Sequence, residues 1–156
     1  MDTETVKTFS YRISQASRSE LVVILYDMAS EYLKISVETD NEDEFKKNVQ
    51  QSIRVVDKLI VGLDMQYELS VDLYKIYNHV KRSLMKAQVN CDKDEVLRVD
   101  KLLKKLRMSF YEVSKQDTSG PMMKNTEKVY SGLTYSKGGA GNEMLSDPVR
   151  NRGFMV

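Results

Sequence analysis

Cysteine and histidine each occur once in 156 residues, as Cys91 and His79, and tryptophan is absent. A single thiol excludes an internal disulfide, and one Cys with one His cannot assemble a Cys/His metal cage. A lone thiol suits a reducing compartment. Glycine and proline are nearly missing from the first 119 residues: six of the seven glycines and both prolines lie at or beyond Gly120. No phosphate-cradling glycine loop fits upstream of that point. Long hydrophobic runs are missing too. The longest, Leu21-Val22-Val23-Ile24-Leu25-Tyr26, is too short to span a bilayer. Met1 to Lys7 has neither the basic start nor the apolar core of a secretory signal. Charge of one sign is also lacking, with 24 Lys and Arg against 23 Asp and Glu. Residues 1–115 hold 19 of each sign, and the remainder 5 basic against 4 acidic. Phosphate-backbone binding needs a positive footprint, so nucleic acid is not an expected partner. The expectation is a soluble cytoplasmic protein without membrane insertion.

What the sequence does contain is helix. Ser17-Arg18-Ser19-Glu20, Asn41-Glu42-Asp43-Glu44 and Asp92-Lys93-Asp94-Glu95 each pair a short capping side chain with a Glu three residues on, ahead of an apolar-periodic run. The runs predict helices over about 18–38, 42–63, 69–89 and 93–115, each about 30–35 Å long at ~1.5 Å per residue. Matched lengths and short connections predict an all-α fold, an antiparallel up-down-up-down four-helix bundle over 17–115. Residues 1–16 read as an extended N-terminal arm with Phe9, Tyr11 and Ile13 as its apolar points. Residues 116–156 read as a flexible C-terminal tail, in which the composition near 121–131 suits one or two helical turns. The first long helix is apolar over more than half its circumference. Leu21, Ile24, Leu25, Met28, Tyr32 and Ile35 form one stripe, read as inward, and Val22, Tyr26, Ala29 and Leu33 form a second, turned by about 100°.

Catalytic equipment is not evident. Di-iron bundles require Glu-x-x-His on two helices, which one histidine cannot supply. Acidic runs such as Glu42-Asp43-Glu44 are solvated caps rather than acid/base pairs. No enzyme and no cofactor is expected. His79 on a helix flank, followed by Val80, Lys81 and Arg82, is the one feature compatible with a histidine phosphotransfer bundle, which stands as the alternative reading; Arg82 is bulky for an approaching donor. Nine tyrosines carry more weight. Tyr26, Tyr32, Tyr74, Tyr77 and Tyr111 fall on helix faces or flanks, and tyrosine is enriched where protein surfaces meet.

Ala16-Ser17-Arg18-Ser19-Glu20-Leu21 followed by Ile24-Leu25-Tyr26-Asp27 resembles the start of the FliS family, the flagellin-specific export chaperones. Asn48, Ile53, Val55-Val56, Leu59 and Leu63-Asp64 are similar to that family's second helix. Ile76-Tyr77-Asn78, Arg82, Leu84, Lys86-Ala87, Asp92 and Val99 resemble its later stretch. Met28, Gln88 and Phe110 depart from the family pattern, and His79 takes a position that is usually aromatic. The resemblance implies a cytosolic chaperone that binds the disordered C-terminal segment of flagellin, prevents premature polymerisation and delivers it to a component of the flagellar type III export gate. It also implies an N-terminal arm that covers part of the groove when flagellin is absent. On that basis the groove is expected to use Val22, Tyr26, Ala29, Leu33, Val55, Leu59, Tyr74 and Tyr77, with Phe9, Tyr11 and Ile13 as the covering arm. Weak homodimerisation of the unliganded chain through the same groove is left open.

Overall fold

The computed structural model describes residues 1–123; the remainder of the expected tail, with most of its suggested helix, lies outside the described residues. The described part is helical, in five elements: α1 (Thr3–Gln15), α2 (Arg18–Glu38), α3 (Glu42–Val61), α4 (Glu68–Asn90) and α5 (Lys93–Gln116). Helix α2 packs on α3 and α5, α4 packs on the same two, and α1 lies outside against α2. Helices α2 and α5 run in opposite directions, since Ser19 meets Asp117, Asp27 meets Arg107 and Thr39 meets Lys93. Helices α3 and α4 do likewise, with Asp57 paired to Lys81 and the Lys46 carbonyl to Gln88.

The three start signals cap as their chemistry dictates. Ser17 Oγ accepts from the Glu20 N–H while the Glu20 carboxylate accepts from the Ser17 N–H, a complete capping box. Asn41 and Asp92 accept from Glu44 and Glu95 N–H, but the reciprocal half is diverted. The Glu44 carboxylate takes the Thr39 hydroxyl, and that of Glu95 takes Arg98. Helix α4 begins without a side-chain cap at Tyr67. It ends at Cys91, which is left-handed (φ 52°), with the Cys91 and Asp92 N–H groups both turned onto the Ala87 carbonyl. The tight reversal into α5 follows from that residue.

The first 16 residues do not form an extended arm. Asp2 caps a helix by accepting from the Thr5 N–H at 2.9 Å, with Glu4 in its first turn and Arg12 in its last, the order a helix dipole favours. Thirteen residues are marginal alone. What holds them is tertiary: Phe9, with Ile13 beside it, packs on Ile24, Leu21 and Met28 of α2.

The main core reverses the expected rotation of α2. Tyr26, Ala29, Leu33 and Ser36 are its most deeply buried side chains, so the stripe read as outward faces the bundle. Small residues on that stripe let α3 approach closely enough for Ser52 Oγ to donate to the Ala29 carbonyl at 3.1 Å. Around them lie Phe45, Val49, Ile53, Val56, Val80, Leu84, Val96 and Leu103. Tyr26 from α2 and Tyr77 from α4 meet here, hydroxyl to hydroxyl at 2.5 Å, with the Tyr26 ring 5.6 Å from that of Phe110. Burial pushes both phenols up in pKa, so both stay protonated.

Each hydroxyl satisfies the other, so removing one strands its partner in an apolar core. Tyr26→Phe and Tyr77→Phe are each expected to cost about 1–3 kcal/mol, with the double variant less destabilised than the sum. Urea denaturation of the three variants measures this; strict additivity would show that the hydroxyls do not depend on each other.

Candidate functional site

The start of α2 has three apolar directions, and four helices can cover only some of them. One faces the core. The second lies under α1, and the third opens onto a cleft of about 650 Å³. Its walls are Leu21, Val22 and Leu25 of α2, Leu59 of α3, the loop residues Leu63 and Tyr67, and Leu69, Leu73 and Tyr77 of α4, with Phe110 and Met122 also lining it. Arg18, Lys58 and Asp64 are its charged members. Leu69 is 65% exposed and Tyr67 also 65%, large apolar surfaces held open at the mouth. The loop between α3, which ends at Val61, and α4, which begins at Glu68, supplies Leu63, Asp64 and Tyr67 to the cleft wall.

Helix α1 is held by a charge cluster centred on Asp27. Arg12 of α1 donates to Asp27 Oδ2 at 2.7 Å, and Arg107 of α5 donates to Oδ1 at 2.8 Å. Partial burial would raise the Asp27 pKa, but hydrogen bonds and charge from Arg107 and Arg12 outweigh it and hold the carboxyl below its usual range. A second hollow, of about 490 Å³, separates α1 from α5 and is lined by Tyr11, Arg12, Val23, Ile24, Arg107 and Tyr111, among others. The Tyr111 ring lies beneath both Arg107 and Lys115, at 5.1 and 4.7 Å.

Beyond α5 the chain turns back to the α1–α2 junction. Ser19 Oγ donates to Asp117 at 2.6 Å, and the Met122 N–H donates to the Ala16 carbonyl at 2.8 Å. Hydrogen bonds from Ser119 and Ser19 hold the Asp117 carboxyl well below its ordinary range. Met122 thereby reaches the cleft wall.

Of the expected groove residues, the cleft brings together Val22, Leu59 and Tyr77. Tyr26 stands behind Tyr77, in the core with Ala29 and Leu33. Val55 is buried beneath a separate α2–α3 furrow lined by Met28, Tyr32, Arg54 and Val61, and Tyr74 lies outside the cleft at 43% exposure. Of the arm residues, Phe9 and Ile13 face α2, whereas Tyr11 points away at 70% exposure. Leu21, Leu25, Leu63, Leu69 and Leu73 were not among the expected set. A rotation of α2 judged by its small residues Ala29 and Ser36, which mark the closest helix crossing, would have turned Leu21, Val22 and Leu25 toward this side. His79 is exposed on α4, and among the described residues no hydrogen-bond partner orients its ring.

Among the described residues no three His, Cys, Asp or Glu side chains converge to hold a metal, and no helix is long and apolar enough to cross a membrane. A family model described as flagellar protein FliS matches residues 4–117, which spans all five helices. No curated protein matches the chain significantly.

The Asp27 cluster ties α1 to the bundle through a single side chain, Arg12. Arg12→Ala is expected to speed hydrogen exchange of α1 amides about tenfold, roughly the effect of losing 1.4 kcal/mol, while core amides of α2 stay unchanged. Because the folded Asp27 pKa is depressed, its stabilisation is complete above the ordinary value of 3.8 and is lost as pH falls through the lower folded value. Docking of α1 is therefore expected to be flat between about pH 5 and 8 and to weaken only in stronger acid, which α1 amide chemical shifts would follow.

Proposed function

Because the chain belongs to the FliS family, we propose that it is a cytoplasmic chaperone of flagellar assembly that binds the C-terminal segment of flagellin. On this reading it keeps that segment from polymerising early and hands it to a component of the type III export gate. No cofactor and no catalytic step is involved. The proposal includes up-down-up-down threading of α2 to α5, with α1 as a removable cover.

The observation that carries the reading is the apolar cleft between α2 and α4. An amphipathic segment with apolar residues at i, i+3, i+4 and i+7 suits a trough walled by Leu21, Val22 and Leu25 on one side and Leu69 and Leu73 on the other. A client that is disordered beforehand loses about 2–5 kcal/mol to ordering as it binds. A large area is then buried without making the complex irreversible, as a chaperone that must release its cargo requires.

Helix α1 extends the same surface. It is itself an amphipathic helix lying on Leu21, Ile24 and Met28. It contacts α2 through a small apolar patch and one ion pair. A client that displaces it gains a second apolar strip continuous with the cleft through Leu21, which belongs to both. Weak homodimerisation of the client-free chain through this strip belongs to the same reading.

Isothermal calorimetry with a flagellin C-terminal peptide tests the site. Leu69→Glu and Val22→Asn are each expected to weaken binding about tenfold or more, a loss of roughly 1.4 kcal/mol, with helical circular dichroism intact. Arg12→Ala is expected to tighten it severalfold by releasing the cover. Wild-type affinity in both cleft variants would remove the cleft from the proposal.

A further inference from the structure

The near-neutral charge of the chain conceals two stretches in which cations predominate. From Leu73 to Cys91 there is no acidic residue, and from Val96 to Tyr111 there is one, Asp100. The same two stretches hold nine cations: Lys75, Lys81, Arg82, Lys86, Arg98, Lys101, Lys104, Lys105 and Arg107. Residues 18–64, which span α2 and α3, hold ten acids against six bases. Over residues 68–116, which span α4 and α5, eleven bases stand against seven acids, most of the acids lying near the two helix starts, so the basic excess is concentrated on the two stretches named.

Four of the nine cations are already engaged: Lys81 with Asp57, Arg98 with Glu95, Lys104 with Asp100 and Arg107 with Asp27. The other five, Lys75, Arg82, Lys86, Lys101 and Lys105, are exposed and have no carboxylate partner among the described residues. Their spacing is regular. Lys75, Arg82 and Lys86 step by seven and four along α4, with His79 between them, and lie directly opposite its buried stripe of Leu73, Tyr77, Val80 and Leu84. Lys101 and Lys105 are one turn apart on the outward face of α5, an adjacent helix joined to α4 by the Cys91 reversal. The cleft opens on the other side of α4, through Leu69, Leu73 and Tyr77.

Apolar side chains stand among these cations. Met85 and Val89 on α4, and Leu97 and Met108 on α5, are between 51% and 75% exposed. Fixed like charges with no counterion repel one another, and exposed Met, Val and Leu beside them gain nothing from water. A partner that offers carboxylates flanking apolar side chains relieves both.

We propose that this α4–α5 face is a second docking surface, separate from the cleft, for an acidic amphipathic segment of another protein. The chemistry favours a protein over a nucleic acid. Four of the five free cations are lysines, and the exposed aliphatic and thioether side chains outnumber the two exposed rings of these helices, Tyr74 and Tyr111, of which Tyr111 already lies beneath Arg107 and Lys115. Since the two surfaces sit on opposite sides of α4, both can be occupied at once.

The test uses the full chain in its native cell, with a photo-crosslinking amino acid at Leu97 or at Met108 and mass spectrometry of the captured peptides. The expected product is a protein segment with an excess of Asp and Glu. Its yield should fall at least about fivefold in the charge-reversed Lys75→Glu/Arg82→Glu/Lys101→Glu/Lys105→Glu chain and, in lysate, on raising salt from roughly 50 to 300 mM. The neutral set with Gln at the same four positions should show an intermediate loss. Calorimetry with the flagellin C-terminal peptide should be unchanged in both sets, so that failure here is distinguishable from failure of the cleft. Capture of RNA or lipid, capture of a segment without excess acid, no capture at either position, or a yield indifferent to charge reversal would each overturn the proposal.

Discussion

Helix α2 carries more apolar surface than its bundle neighbours can cover, and the rest of the molecule is arranged around that surplus. The stripe from Tyr26 through Ala29 and Leu33 to Ser36 faces the core. The flank at Ile24 and Met28 is roofed by α1, and the flank at Val22 and Leu25 is left to a cleft, with Leu21 shared between the two. Water tolerates scattered apolar residues, but not a continuous strip along a helix. One flank is therefore covered by an added helix and the other is left as an open trough, and the proposed binding of another chain rests on this imbalance.

Detachability depends on how little holds α1. Its apolar grip is Phe9 and Ile13, and its electrostatic grip is one arginine on a carboxylate that a second arginine also engages. Because Arg107 stays on Asp27 when Arg12 leaves, the half-buried charge is not abandoned during release. A carboxylate paired by Arg12 alone would carry a steeper penalty for opening, since stranding a buried charge costs more than making its pair contributes. If α1 is displaced as proposed, the shared anion keeps one of its two arginines.

Much of the fold was legible because its signals are local. Ser17, Asn41 and Asp92 mark three helix starts to the residue. Two things were not legible. Rotation of α2 depends on which of two equally apolar stripes meets the core, and hydrophobicity alone does not discriminate between them; the small side chains of Ala29 and Ser36 do. The helical state of residues 3–15 depends on docking to Ile24 rather than on propensity, so the segment reads as polar and extended by itself. The cleft suffered from the first problem. Tyr26 and Tyr77, both expected in the groove, meet hydroxyl to hydroxyl in the core, and most of the open wall belongs to leucines one step around the helix. Charge shows the same limit, because a balanced total hides a basic excess along α4 and α5.

The Ser17 capping box has a mechanical meaning. The reciprocal bonds between Ser17 and Glu20 finish the N-terminus of α2 within that helix, so its end is sealed whether or not α1 is in place. Ala16 and Ser17, both extended and buried, separate the two helices, and the Met122 N–H on the Ala16 carbonyl fixes that junction from the far end of the bundle. The sequence of α1 can therefore vary without touching the hydrogen bonds that start α2.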